Sequence, residues 1–198
     1  MTGCLHTSLA PDTAAAVMLT RDAAKEHLRY EGTDEDGYVD LLIAAVSAHL
    51  DGPFGLTGRA LLTQRWSAAF PAPGGRSRLR FPVEPFGSVI SVSYYDRAGA
   101  VQTIDAAQVT AITGSRGTLI EPKAAWPSMY DRPDAVTVVA ECGYGAAGDV
   151  PAPLIQAAKL ILGHWYENRE AVTEGRVPSA IPMGVHALIS PYRAGWIA

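Results

Sequence analysis

Hydrophobic residues recur at Val39, Leu42, Ile43, Val46 and Leu50, a spacing of i, i+3, i+4, i+7 and i+11. Such a stripe winds along one side of an α-helix and predicts a helix over residues 34–50. Thr33 or Asp34 suits its N-cap, and Asp34, Glu35 and Asp36 suit the positive end of its dipole. "DGPFG" (51–55) stops it, because Pro53 cannot continue the hydrogen-bond ladder. Upstream, "LTRDAAKEHLRY" predicts a shorter helix over 20–30, capped by Thr20, with Ala24 and Leu28 on one face. A third helix is predicted over 152–171, with Pro151 and Pro153 where a helix tolerates proline. Leu154, Ala158, Ile161 and Trp165 form its stripe, and Ile155, Leu162 and Tyr166 widen it. Polar residues are scarce there until Glu167, so most of this helix is expected to be buried.

Between the second and third helices the period changes to two. Leu79, Phe81 and Val83 share one side of a segment, and Ile90, Val92 and Tyr94 share one side of another. "DRAG" (96–99) reads as a hairpin turn and "TGSRG" (113–117) as a second turn. Residues 61–142 are thus expected to form a mainly antiparallel β region of roughly six strands. Residues 1–18 are small and Ala-rich and read as a flexible N-terminal arm. Residues 173–198, rich in Pro and Gly, read as an extended C-terminal tail with a short helix at 184–190. The expected class is α+β, with one domain over 19–172.

Composition agrees with a real core: 48% of the 198 residues are hydrophobic and 18% are charged. A net charge of −4 disfavours a grip on nucleic acid through its phosphates. Cys4 and Cys142 form no CxxC or Cys/His cluster and are read as free thiols in a reducing compartment. The N-terminus lacks the basic and apolar regions of a signal peptide, and no stretch is long enough to span a membrane. Synthesis in a cytoplasm is expected.

Motifs with chemistry are thin. "GYGAAG" (143–148) follows a strand, but no second strand follows its helix, so the βαβ unit of a nucleotide site is missing. "TGSRG" lacks a nucleophile elbow, with no His and acid placed near Ser115. His6, His27, His49, His164 and His186 form no HExxH. His164 and Glu167 lie i, i+3 apart, a spacing that suits two metal ligands but equally a histidine at a helix end. The Asp34–Asp36 run lacks the Gly and distal Glu of a calcium loop and reads as helix capping. Glu121, Asp131, Asp134 and Glu141 show no hydrolase pairing. No catalytic residue, cofactor or metal is expected.

A set of phrases then appears in a fixed order: "LTRDAAKEHLR", "DEDGYVDLLIAAVSAHL", "TGRALLTQRW", "WPSMYDRPDAVTVVAECGYG", "VPAPLIQAAKLILGHWYENREAV" and "IPMGVHALISPYR". Over residues 19–193 the chain resembles the head–tail connector (adaptor) proteins of long-tailed bacteriophages and gene transfer agents. "DGPFGLTGR" (51–59) departs from that pattern, in which the second helix runs closer to Thr-Gly-Arg. The resemblance implies a non-enzymatic virion protein at the head–tail junction, made in a bacterial host's cytoplasm. It implies a dodecameric ring beneath the portal protein, a platform for a stopper or tail-completion protein, and a channel through which DNA passes without sequence-specific binding. Residues 19–172 would be the connector domain and 173–198 a docking tail. Two other classes stand beside this one: a small hydrolase with a site assembled from distant residues, and a nucleic-acid-binding module with a locally basic face.

Candidate interface residues follow. Trp165 and Tyr166 close the third helix, either within the chain or against a neighbouring subunit, and Glu167, Arg169 and Glu170 emerge beside them. In the tail, Met183, Val185, Leu188, Ile189 and Tyr192, with Arg193, are too apolar for a segment left in water. They are expected to dock on the portal or on a neighbour.

Overall fold

Thr20 takes an extended backbone, and its Oγ1 accepts the amide of Ala23 at 3.2 Å. That cap starts α1 (Arg21–Leu28), the first helix of the computed structural model, which describes residues 8–12, 16–114, 117–169 and 183–194. The helix ends on Arg29, whose φ of 55° is the left-handed turn that returns its amide to Glu26. The chain divides into two compact units, one of residues 15–62 and 144–198, the other of residues 1–14 and 63–143.

The first unit is helical. α2 (Asp36–Leu50) buries Val39, Leu42, Ile43, Val46 and Leu50, the stripe that its spacing predicts. Neither Thr33 nor Asp34 caps it; Glu35 is the N-cap residue and makes no capping bond with its side chain. α3 (Ala152–Glu167) buries Leu154, Ala157, Ala158, Ile161 and Leu162. It stops at Glu167, short of the expected residue 171, because Asn168 leaves the helix and its Nδ2 donates to the His164 carbonyl at 2.8 Å. α4 (Met183–Ile189) follows, with a tight turn at Ser190–Tyr192. These helices close one core with Met18, Leu19, Leu61 and Val150.

Loop 51–60 is well ordered by its own hydrogen bonds. Asp51 Oδ1 accepts Gly52 N at 2.7 Å and Leu61 N at 2.6 Å, and Gly52 pairs with Arg59 as a β-bridge. Thr57, 1% exposed, donates to Leu50 O at 2.7 Å. Tyr144 N reaches Leu61 O at 3.1 Å, so the two points where the chain leaves and rejoins this unit are held side by side.

The second unit is antiparallel β throughout. Its strands are β1 (Ser8–Pro11), β2 (Gln64–Phe70), β3 (Leu79–Phe81), β4 (Phe86–Tyr95), β5 (Val101–Ile104), β6 (Val109–Gly114), β7 (Gly117–Pro122) and β8 (Val136–Cys142). They form a five-stranded sheet, β1-β2-β8-β4-β5, and a three-stranded sheet, β3-β7-β6. β2 to β8 are seven strands where the pattern predicts roughly six. Phe81 of the smaller sheet meets Phe86 of the larger edge-on, with centroids 5.4 Å apart. Leu79, Val83, Ile120, Val92, Val136 and Val138 are buried.

Two parts of the arm expected to be flexible take fixed places. Ser8–Pro11 pairs with Trp66–Ala69 as an edge strand, and Met18 is buried. At the 96–99 hairpin, Asp96 Oδ1 accepts the amides of Ala98 and Ala100, and Gly99 takes φ 80°. A hydrogen bond from Gln102, with those amides, holds the Asp96 carboxyl below the usual carboxylate range. In the 113–117 turn Gly114 faces Gly117, and residues 115–116 lie outside the described residues.

Candidate assembly interface

The last turn of α3 brings Trp165 and Tyr166 to the α2 side of the helical unit. Tyr166 Oη donates to Glu35 Oε2, and Arg169 Nη2 donates to Glu35 Oε1 at 2.6 Å. The Arg169 guanidinium lies 4.6 Å from the Tyr38 ring centre and 5.1 Å from that of Tyr166. Tyr30 and Tyr38 both tilt against Tyr166, at 6.4 and 6.1 Å. Tyr38 Oη donates to the Trp165 carbonyl at 3.4 Å, and the Trp165 ring lies 5.5 Å from His49.

Electrostatics follow from this knot. The Arg169 hydrogen bond, then that of Tyr166, holds the Glu35 carboxyl below its ordinary range. Glu35 in turn raises the Tyr166 phenol and the Arg169 guanidinium. Each Glu35 oxygen already has a donor. The carboxylate ties the start of α2 to the end of α3.

The neighbouring acids are similarly occupied. Arg21 Nε reaches Asp40 Oδ1 at 2.8 Å, and its Nη1 reaches Asp36 at 3.3 Å. Lys25 Nζ reaches Asp36 Oδ1 at 2.7 Å. Arg21 draws the Asp40 carboxyl below its usual range. Asp36, with Asp40, thus joins α1 to α2 through Arg21 and Lys25, while Asp34 is exposed. Among the described residues no group of three His, Cys, Asp or Glu stands close enough to hold a metal.

The glycine loop at 143–148 is filled by its own chain. Asp149 Oδ2 accepts Ala146 N at 2.9 Å, and a Cβ at Gly145 would meet that oxygen at 2.3 Å. A carboxylate thus takes the Ala146 amide, and Gly145 is required by its φ of 140° and by that close approach. His164 Nδ1 lies 3.3 Å from Asn168 Nδ2, at the helix end.

The tail residues divide. Val185 and Ile189 are 0% exposed and lie in the helical core, so they are not available to a portal or a neighbour. Leu188 and Tyr192 are partly buried against the same core, and Ala194 N donates to Thr57 O at 2.8 Å. Arg193 and Glu167 are exposed. Glu170 and the Met183 side chain lie outside the described residues. The structure thus gathers Trp165, Tyr166 and Arg169 in one place and Val185, Leu188, Ile189 and Tyr192 in another, all by contacts inside the chain.

Sequence reasoning read Glu35 only as a helix-end acid and passed over Tyr30 and Tyr38, the other partners of Tyr166. It also passed over the solvent face of α2, where Leu41 is 64% exposed with Ala44, Ala45 and Ala48 exposed beside it. That signal was readable: residues 41–48 hold one polar residue, the buried Ser47.

No family model matches the chain, and none of the curated proteins matches it. Solved structures do. A chain in the neck of an empty GTA particle, computed with C6 symmetry, matches with a TM-score of 0.71 at 25% identity. The match covers 97% of this chain and 98% of that one. A chain in the virion of the native gene transfer agent (GTA) particle matches over the same shares, with a TM-score of 0.71 at 23% identity. A chain in the neck of the native particle, computed with C12 symmetry, gives 0.66 at 23%, again covering 97% and 98%. This chain has, over nearly its whole length, the fold of a protein found in the neck of gene transfer agent particles.

Proposed function

We propose that the chain is a structural, non-enzymatic component of the neck of a phage-like particle: an adaptor that forms a ring beneath the portal. The observation that carries this is the match over 97% of the chain, at 25% identity, to a chain of a GTA neck. In this reading the partners are other copies of the chain in a dodecameric ring, the portal above, and a stopper or tail-completion protein below. DNA passes through the ring without sequence-specific contacts. A net charge of −4 suits such a conduit, since many Lys or Arg contacts would retain phosphates. No helix among the described residues is long and apolar enough to cross a membrane.

The test is mass in solution by light scattering, alone and with the cognate portal. A ring, free or formed on the portal, is the expected result. A chain that stays monomeric with the portal, at concentrations where wild-type particles assemble, overturns the reading.

A further inference from the structure

Beyond the exposed Asp40, the solvent side of α2 is apolar: Leu41, Ala44, Ala45 and Ala48 run along it, a stripe that suits cover by another surface. The segment leading into the face is acidic. Residues 21–40 contain seven Asp and Glu against three Lys and Arg, and Glu26, Glu31 and Asp34 are exposed.

A second surface has the opposite sign. In the three-stranded sheet, the register sets Arg80, Leu119 and Ile112 in one row on the face away from buried Leu79 and Ile120. Arg78 lies on the same face, where it pairs with Glu121 at 2.6 Å. Ile112 is 42% exposed, and Arg76 and Lys123 are exposed nearby, with Arg76 donating to the Lys123 carbonyl. Residues 74–81 carry three arginines and no acid.

The geometry points to a head-to-tail contact between copies of this chain: the basic sheet face of one copy on the acidic α1–α2 face of the next. This rests on the ring reading above. A cyclic ring needs two different surfaces that complement each other on each subunit. Both faces have apolar side chains bordered by charge, as interfaces do, and the charges are opposite in sign. Opposite signs also set the direction of the ring, because sheet against sheet or helix against helix would oppose like charges.

Charge reversal tests it. R76E/K123E alters the sheet face and E26K/D34K the helical face, all at exposed positions. Light scattering over a concentration series, with and without the portal, reads assembly, and thermal melts confirm that each variant folds. Each pair is expected to raise the concentration for half-assembly at least about tenfold, and the chain carrying all four changes is expected to regain most of the loss. Leu41→Gln is expected to weaken assembly without changing charge. Variants that melt and assemble like wild type overturn the contact and leave the ring reading standing. So does a four-change chain that melts normally and recovers nothing. If R76E/K123E leaves assembly intact but abolishes duplex-DNA retention on a filter, the sheet face belongs to nucleic acid and the contact is overturned. A wild-type chain that never assembles overturns both readings together.

Discussion

Met18 N donates to Ser47 Oγ at 2.9 Å, across 29 residues of sequence. Ser47 Oγ in turn donates to Ile43 O at 2.7 Å, and both Met18 and Ser47 are 2% exposed. One hydroxyl therefore fixes the segment before α1 to the last turn of α2. Ser47→Ala leaves the Met18 amide buried without a partner. The expected cost is about 1–3 kcal/mol, read as a lower urea midpoint at unchanged slope.

Glu35 makes stability depend on pH at its acid end. Its folded carboxyl is held low, so its contribution is present above the ordinary glutamate value of about 4.3 and is lost as pH falls through the folded value. Tyr166 is raised, so its contribution is present below the ordinary phenol value of about 10 and is lost as pH rises through the folded one. Melting temperature against pH is the measurement. Glu35→Gln is expected to flatten the acid limb; a limb as steep as that of wild type would contradict the knot.

Cys142 is 1% exposed, and burial pushes its thiol up to about 12. Its Sγ points to the Val83 carbonyl at 3.7 Å. A native chain carrying Cys4→Ser is expected to resist a thiol reagent at neutral pH and to react fully once unfolded.

Ile189 belongs to the core of the helical unit. Ile189→Ala is expected to cost about 2–5 kcal/mol in the isolated chain, without portal or neighbours. Thermal unfolding of the monomer decides this. An unchanged melting temperature would return the tail to a purely docking role.

Helical stripes were legible because burial repeats every third or fourth residue, and the residues that pattern picks out in α2 are those the core takes. Boundaries were less so. Glu35 stands at the N-cap while its side chain faces Tyr166, 131 residues away, a partner no local pattern can name. β1 was missed because "SLAP" has no alternation; backbone pairing with β2 makes it a strand, and Pro11 suits an edge. Val185 and Ile189 were correctly read as too apolar for water. Which surface covers them depends on α4 packing back on α3, and composition is silent on that.

The bond between Tyr144 N and Leu61 O has an evolutionary consequence. Apart from the short β1, the β unit is a parenthesis in the helical text, opened and closed at one point. A stretch whose two ends are pinned one hydrogen bond apart can lengthen, shrink or exchange its loops while the helical core stays as it is. Lineages can thus redecorate one module and inherit the other unchanged.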